Sequence, residues 1–161
     1  MPNNLKFRAD IGPTDPESVR TMVLSTGFFN DEEVDVAAEL ATDRLEKGEK
    51  SDYRFIFADL DDRTIGYSCY GRIAGTVQSY DFYWLAVLNE LRGKGIGKQL
   101  IAATEEAVRC AGGGRIYIET SSRDQYVPTR GLYLKCGYRI EAIIEDFYAP
   151  GDSKVLLVKV V

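Results

Sequence analysis

The 161-residue chain contains no histidine. That absence removes the commonest general base, the commonest side-chain metal ligand and every histidine-based nucleophile triad. Proton transfer must fall to carboxylates, tyrosine, cysteine, lysine or water. Cysteine is scarce: Cys69, Cys110 and Cys136 are odd in number and show no metal-ligand spacing. They read as reduced thiols, which suits a cytoplasmic protein. No apolar run approaches the ~20 residues of a membrane span, and "MPNNLKFRAD" has no secretory apolar core. Positive charge is not in excess. The net charge of -5 argues against a nucleic-acid surface. Asp61-Asp62 and Asp31-Glu32-Glu33 match no calcium loop. They read as a turn and a helix N-terminus, so no metal is expected.

What is present is a globular composition, 45% hydrophobic, in a chain of single-domain length. "LKFRAD" (5–10) alternates as a short strand. Asp15-Pro16 resembles an N-cap followed by proline at the first helical position. A second helix, capped by Asn30 or Asp31, carries Val34, Ala37, Ala38, Leu40 and Ala41 on one side and ends near Gly48. Residues 52–60, 64–73 and 77–88 are rich in β-branched and aromatic side chains and read as an antiparallel meander. A helix over about 95–111 follows, then a strand at 115–120, a short helix near 128–136 and two closing strands. The order β, αα, βββ, α, β, α, ββ, without repeat or linker, predicts one α/β domain over 1–161 with a mixed, mostly antiparallel sheet flanked by helices. Exposed edges at 138–146 and 154–161 would admit a second copy as a homodimer.

The densest signal is "LRGKGIGKQL" (91–100). Residues 92–98 hold three glycines and three cationic side chains between an apolar run and a helical pattern. Glycine lets a ligand approach the main chain, and a helix start offers unpartnered N–H groups and a positive dipole end. Together these predict an anion site for phosphate or pyrophosphate. "GKGIGKQ" is one residue short of a Walker A loop, with Gln99 where the magnesium-binding hydroxyl belongs. The spacing G-x-G-x-G after a meander also departs from the dinucleotide fingerprint.

"RGKGIG" (92–97) does match [Q/R]-x-x-G-x-[G/A] opening a long helix after a strand. With "RGLYLKCGYRIEA" (130–142), this resembles the acetyl-CoA site and late tyrosine helix of the GCN5-related N-acetyltransferase (GNAT) superfamily. The likeness covers most of residues 5–160. It implies a GNAT-like fold and acetyl-CoA as co-substrate. It implies that the main chain of Arg92, Gly93, Lys94, Gly95, Ile96, Gly97 and Lys98 cradles the pyrophosphate. The pantetheine arm would pair with the backbone edge of Leu85, Ala86 and Val87, with Val87 near the thioester. Tyr133 matches the family tyrosine that protonates the departing thiolate. The asparagine found in many members seven residues earlier is replaced by Tyr126, which would reach the cofactor through backbone or hydroxyl.

The acceptor implied is the amine of a small molecule or peptide. Its proton needs a base, and the resemblance places Asp81 near that position, with Glu119 as the rival. Burial beside "FYWL" would raise the Asp81 pKa, although alternation alone leaves its face open. The acceptor pocket would draw on residues 14–48 and on "FYAPGDS" (147–153). The acidic run Glu32, Glu33, Asp35, Glu39 and Asp43 reads as a solvated helix face. A second function class stays open on the sequence: a non-catalytic acyl-CoA-binding or regulatory module on the same fold.

Overall fold

The computed structural model describes residues 4–161. The strands are β1 (Leu5–Arg8), β2 (Arg54–Leu60), β3 (Arg63–Arg72), β4 (Ser79–Val87), β5 (Arg115–Ser121), β6 (Arg139–Ala149) and β7 (Asp152–Val160). The helices are α1 (Asp15–Ser25), α2 (Asp31–Lys47), α3 (Ile96–Cys110) and α4 (Val127–Lys135). The strands form one seven-stranded sheet in the order β1-β2-β3-β4-β5-β7-β6. The β4–β5 pair is parallel. The β1–β2, β2–β3, β5–β7 and β6–β7 pairs are antiparallel. This is the mixed α/β architecture expected from the element order.

The expectation of two exposed closing edges is corrected by that order. β7 lies between β5 and β6, so of the two closing strands β6 alone is an edge, and the sheet's other edge is β1. β7 is shielded because its Val155, Leu157 and Val158 are apolar enough to be buried, while β6 is exposed or half-exposed along its length.

Contacts between Cα atoms group the chain into two units. One runs to Gly71 and again from Trp84 to Thr104; the other comprises Arg72–Tyr83 and Glu105–Val161. In the first, Asn30 caps α2 in a reciprocal capping box with Glu33, and Gly48 closes its C-terminus. Asp15 does not cap α1. Thr14 holds the cap position without a side-chain bond. Asp15 instead lies inside the helix, buried, where it accepts two bonds from the Arg8 guanidinium at 2.7 Å and one from the Gly12 N–H at 2.7 Å. Arg8 also donates to Asp59 at 2.6 Å and lies 4.4 Å from the Phe57 ring centroid. One cation thereby ties β1, α1 and β2 together, and its two carboxylates hold its pKa above the ordinary value despite burial.

In the second unit, Lys159 on β7 donates to Glu105 on α3 at 2.9 and 3.1 Å and to the Cys136 carbonyl at 2.7 Å. Glu105 is buried, so the lysine's hydrogen bonds and opposite charge offset the hydration its side chain gave up on leaving water. The turn after α3 approaches the sheet closely. A Cβ at Gly113 would stand 2.4 Å from Val108 Cγ1 and 2.7 Å from the Tyr80 ring, which explains the bare backbone there.

Candidate functional site

The glycine loop has the geometry its sequence requires. Gly93 and Gly95 adopt φ of +78° and +82°, where a side chain would be strained, and nothing lies within 4 Å of either position's virtual Cβ. The first main-chain bond of α3 runs from the Gln99 N–H to the Gly95 carbonyl at 3.2 Å. The N–H groups of Ile96, Gly97 and Lys98 precede it and have no carbonyl in the helix to serve them. Lys94 and Lys98 are exposed and make no ion pair among the described residues. Arg92 differs: its guanidinium lies over the Phe28 ring, 5.2 Å from the centroid. Glu90, two residues before Arg92, pairs with Arg63 at 2.9 Å.

The strand leading into the loop has one free flank. The β4–β5 ladder contains Ser79–Arg115, Tyr80–Ile116 and Asp81–Tyr117 and then stops, although β4 runs on to Val87. The far end of β4 remains tied to β3, where the Leu88 N–H donates to the Ile65 carbonyl at 2.8 Å. Leu85, Ala86 and Val87 thus lie on a stretch with no β5 partner among the described residues. A main-chain edge of this kind can pair with an extended ligand.

In the second unit the register sorts the candidate side chains by face. Asp81 pairs with Tyr117; Glu119 lies two residues further along β5 and opposite Leu156; Lys154 lies two residues from Leu156 and opposite Ser121. The strand period of two puts Asp81, Glu119 and Lys154 on one face. Phe82 points to the other, where its ring meets Tyr133 edge-on at 6.2 Å between centroids. Asp81 and Glu119 are therefore brought together, and Tyr133 is on the opposite face of the strand.

Asp81 is half-buried. Burial raises its pKa, the negative charge of Glu119 raises it further, and a hydrogen bond from Tyr83 and the charge of Lys154 partly oppose both. Asp81 therefore holds its proton more tightly than an ordinary aspartate, whereas Glu119 is exposed and paired with Lys154 at 3.2 Å. Tyr133 is 5% exposed and also packs edge-on against Tyr138 at 5.9 Å. Burial lifts its pKa well above the ordinary phenol value, so the hydroxyl keeps its proton. Tyr126 immediately precedes α4, half-buried, with the Arg123 guanidinium 5.6 Å from its ring centroid.

Two members of the acidic run of α2 are paired with cations. Asp35 pairs with Arg20, and Asp43 pairs with Lys47 at 2.6 Å. Phe147 and Tyr148 pack edge-on at 5.0 Å, and the Lys154 ammonium sits 3.8 Å from the Phe147 centroid. Sequence reasoning missed Lys154; its signal was a cation opening the otherwise apolar run "KVLLV" of the closing strand. An open cavity of about 630 Å³ is lined by Thr14, Ser18 and Thr21, within the stretch expected to supply the acceptor pocket, and by Asp62, Arg63 and Thr64, which sequence reasoning did not place at a pocket. None of the candidate site residues lines that cavity.

Residues 51–140 match the model of the acetyltransferase (GNAT) domain. The crystal structure of a protein described as a GNAT-family acetyltransferase from Desulfovibrio desulfuricans is 40% identical, covers 97% of this chain and 98% of that one, and superposes with a TM-score of 0.95. The uncharacterized N-acetyltransferase YvbK of Bacillus subtilis (strain 168) is 37% identical over 71 residues, 44% of each chain, so the match spans under half of that curated relative. An aminoglycoside 6'-N-acetyltransferase complexed with coenzyme A shares the fold, with a TM-score of 0.76, 17% identity and 96% of both chains covered.

Proposed function

The chain belongs to the GNAT acetyltransferase family, and from that premise we propose that it moves an acetyl group from acetyl-CoA to a primary amine by direct attack. The observation that carries this reading is the glycine loop. Unserved N–H groups at the start of α3 follow a strand end that has main-chain capacity to spare. The residues fit coenzyme A. The loop offers donors and two unpaired lysines to a pyrophosphate, and Leu85–Val87 offer an edge to an amide-bearing arm. The coenzyme A complex of the aminoglycoside enzyme supports the same cofactor on this fold.

Acetyl-CoA as substrate supplies an activated acyl carbon. The protein's part divides by charge. Asp81 takes one proton of the acceptor ammonium, which frees the nitrogen lone pair to form the C–N bond; the second proton leaves the nitrogen as the C–S bond breaks and ends on the departing sulfur, giving free coenzyme A thiol and the amide. Tyr133 acts where the C–S bond breaks. Its proton is held more tightly than that of a thiol, whose ordinary pKa is about 8.5. Full transfer from Tyr133 would therefore run uphill, and its role is to donate a hydrogen bond to the sulfur as negative charge develops. Glu119 raises the basicity of Asp81, and Tyr126 borders the pantetheine arm. The likeness covers 97% of the chain in one structural relative, which favours a single catalytic domain over 1–161.

The test is thiol release from acetyl-CoA across polyamines, amino acids, aminoglycosides and peptides, with calorimetric coenzyme A binding on the same sample. Release that depends on one amine class is the expected result. Coenzyme A binding with no release from any amine would return the reading to a binding module. No binding would overturn the pyrophosphate assignment itself.

A further inference from the structure

The face that carries Asp81 and Glu119 already holds a cation of the protein's own. The Lys154 ammonium is 3.2 Å from Glu119 Oε2 and 3.8 Å from the Phe147 ring centroid. Its side chain is 13% exposed, against 51% for Glu119. A carboxylate on one side and an aromatic face on the other is the environment that recognises an alkylammonium ion. The charges around it do not balance. Asp152, near the start of the same strand, is met by Arg123 at 3.3 Å and by the Ser121 hydroxyl. Asp81 has a hydrogen bond from Tyr83 and no ion pair among the described residues. Two carboxylates, Asp81 and Glu119, therefore share one lysine. The surplus negative charge suits one further cation, and the best-formed place for it is taken.

Resting on the reading that this face receives the acceptor, we propose that Lys154 occupies the acceptor's ammonium subsite, between Glu119 and Phe147, and that an incoming alkylammonium must displace it. Lys154 is then a specificity-determining residue. As a tethered competitor it has a high effective concentration at the subsite, so weakly held cations are excluded. Lys154 lies two residues inside the hairpin end at Asp152, close to solvent, and its flexible stem can swing the ammonium into water when a ligand arrives.

The experiment titrates n-butylammonium, cationic at neutral pH, into the full chain and follows binding by nuclear magnetic resonance. Wild type, Lys154→Met and Lys154→Arg are compared. Lys154→Met is expected to tighten the dissociation constant about tenfold, the scale set by removing one nearby like charge. Lys154→Arg is expected to stay within about twofold of wild type, since it keeps that charge. In wild type, the ε-carbon resonance of Lys154 is expected to move as the side chain leaves the Phe147 ring. Unchanged or weaker binding in folded Lys154→Met, or a stationary Lys154 resonance while the probe binds, would overturn the proposal. Should Lys154→Met fail to fold, Lys154→Gln reads the same comparison with a polar, neutral side chain. Thiol release from acetyl-CoA is measured separately. Its absence alongside tighter binding in Lys154→Met would refute acetyl transfer while leaving the ammonium subsite supported.

Discussion

The two ends of β4 offer opposite kinds of chemistry. From Ser79 to Asp81 the main chain is engaged by β5, and what the strand presents is a side chain, the half-buried Asp81 carboxylate. From Leu85 to Val87 the flank toward β5 has no strand partner among the described residues, and what the strand presents is backbone. The loop after it continues the second mode, with glycines at positive φ and the unserved N–H groups of α3. A site made of side chains depends on burial and neighbours for its pKa. A site made of main chain depends on conformation. The two ends should therefore fail in different ways.

The largest expected effect is at the side-chain end. Asp81→Asn should lower kcat/KM about a hundredfold or more while leaving coenzyme A affinity within about twofold. Because burial and Glu119 raise the Asp81 pKa, activity in wild type should fall as pH drops through a value above the ordinary ~3.9 of aspartate. Glu119→Gln removes one source of that rise and should move the acidic limb downward. The same shift has a sign in stability. A carboxyl whose folded pKa is raised binds its proton more tightly when folded, so its contribution to stability is lost as pH rises through that pKa. Asp81→Asn should accordingly be no less stable than wild type at neutral pH in denaturant titrations. An unmoved acidic limb in Glu119→Gln would break the coupling.

Next is Tyr133→Phe. The ring contacts with Phe82 and Tyr138 need no hydroxyl, so the melting temperature should hold within a few degrees. Loss of one donor to the leaving sulfur should lower kcat about a hundredfold with coenzyme A binding intact. Equal turnover in the two proteins would remove Tyr133 from the chemistry.

A smaller effect sharpens the main-chain end. Asparagine and aspartate are nearly isosteric, and both tolerate left-handed backbone better than other side chains. At Gly95, with φ of +82° and open space at the Cβ position, both should cost a similar strain. Only aspartate adds a negative charge where an anion is to bind. Gly95→Asp should bind coenzyme A about tenfold more weakly than Gly95→Asn. Equal affinities by calorimetry would mean that the loop does not hold the pyrophosphate.

The contrast between the two ends also explains what could be read from the sequence. Main-chain recognition is written in contiguous residue types. "RGKGIG" announced an open main-chain loop and a helix start near residue 95, and the structure gives positive φ at Gly93 and Gly95 and a helix from Ile96. The element order and the α2 cap, read as Asn30 or Asp31, were equally local. The acidic cluster was not, because Asp81, Glu119 and Lys154 come from three strands and meet only once the register of β4, β5 and β7 is fixed. Lys154 was therefore missed, and the face of Asp81 could not be chosen. β7 was taken for an edge because chain order places it last, whereas the sheet inserts it beside β5. Asp15 was taken for a cap because its best partner, Arg8, lies on another element.

The smallest effect is expected at Arg92, the loop's most conspicuous charge. Its guanidinium is directed over Phe28, a contact worth about 0.5–1 kcal/mol at an exposed site. If pyrophosphate recognition belongs to the main chain, the cation contributes only a screened, longer-range attraction. Arg92→Ala should then weaken coenzyme A binding a few-fold, and the loss should fade in high salt. Arg92→Lys should recover most of the electrostatic part without restoring the flat contact on Phe28. A hundredfold loss in Arg92→Ala would mean that the guanidinium leaves Phe28 to grip the phosphates directly. The division of β4 and its loop into a side-chain end and a main-chain end would then have to be redrawn, with Arg92 counted among the side chains.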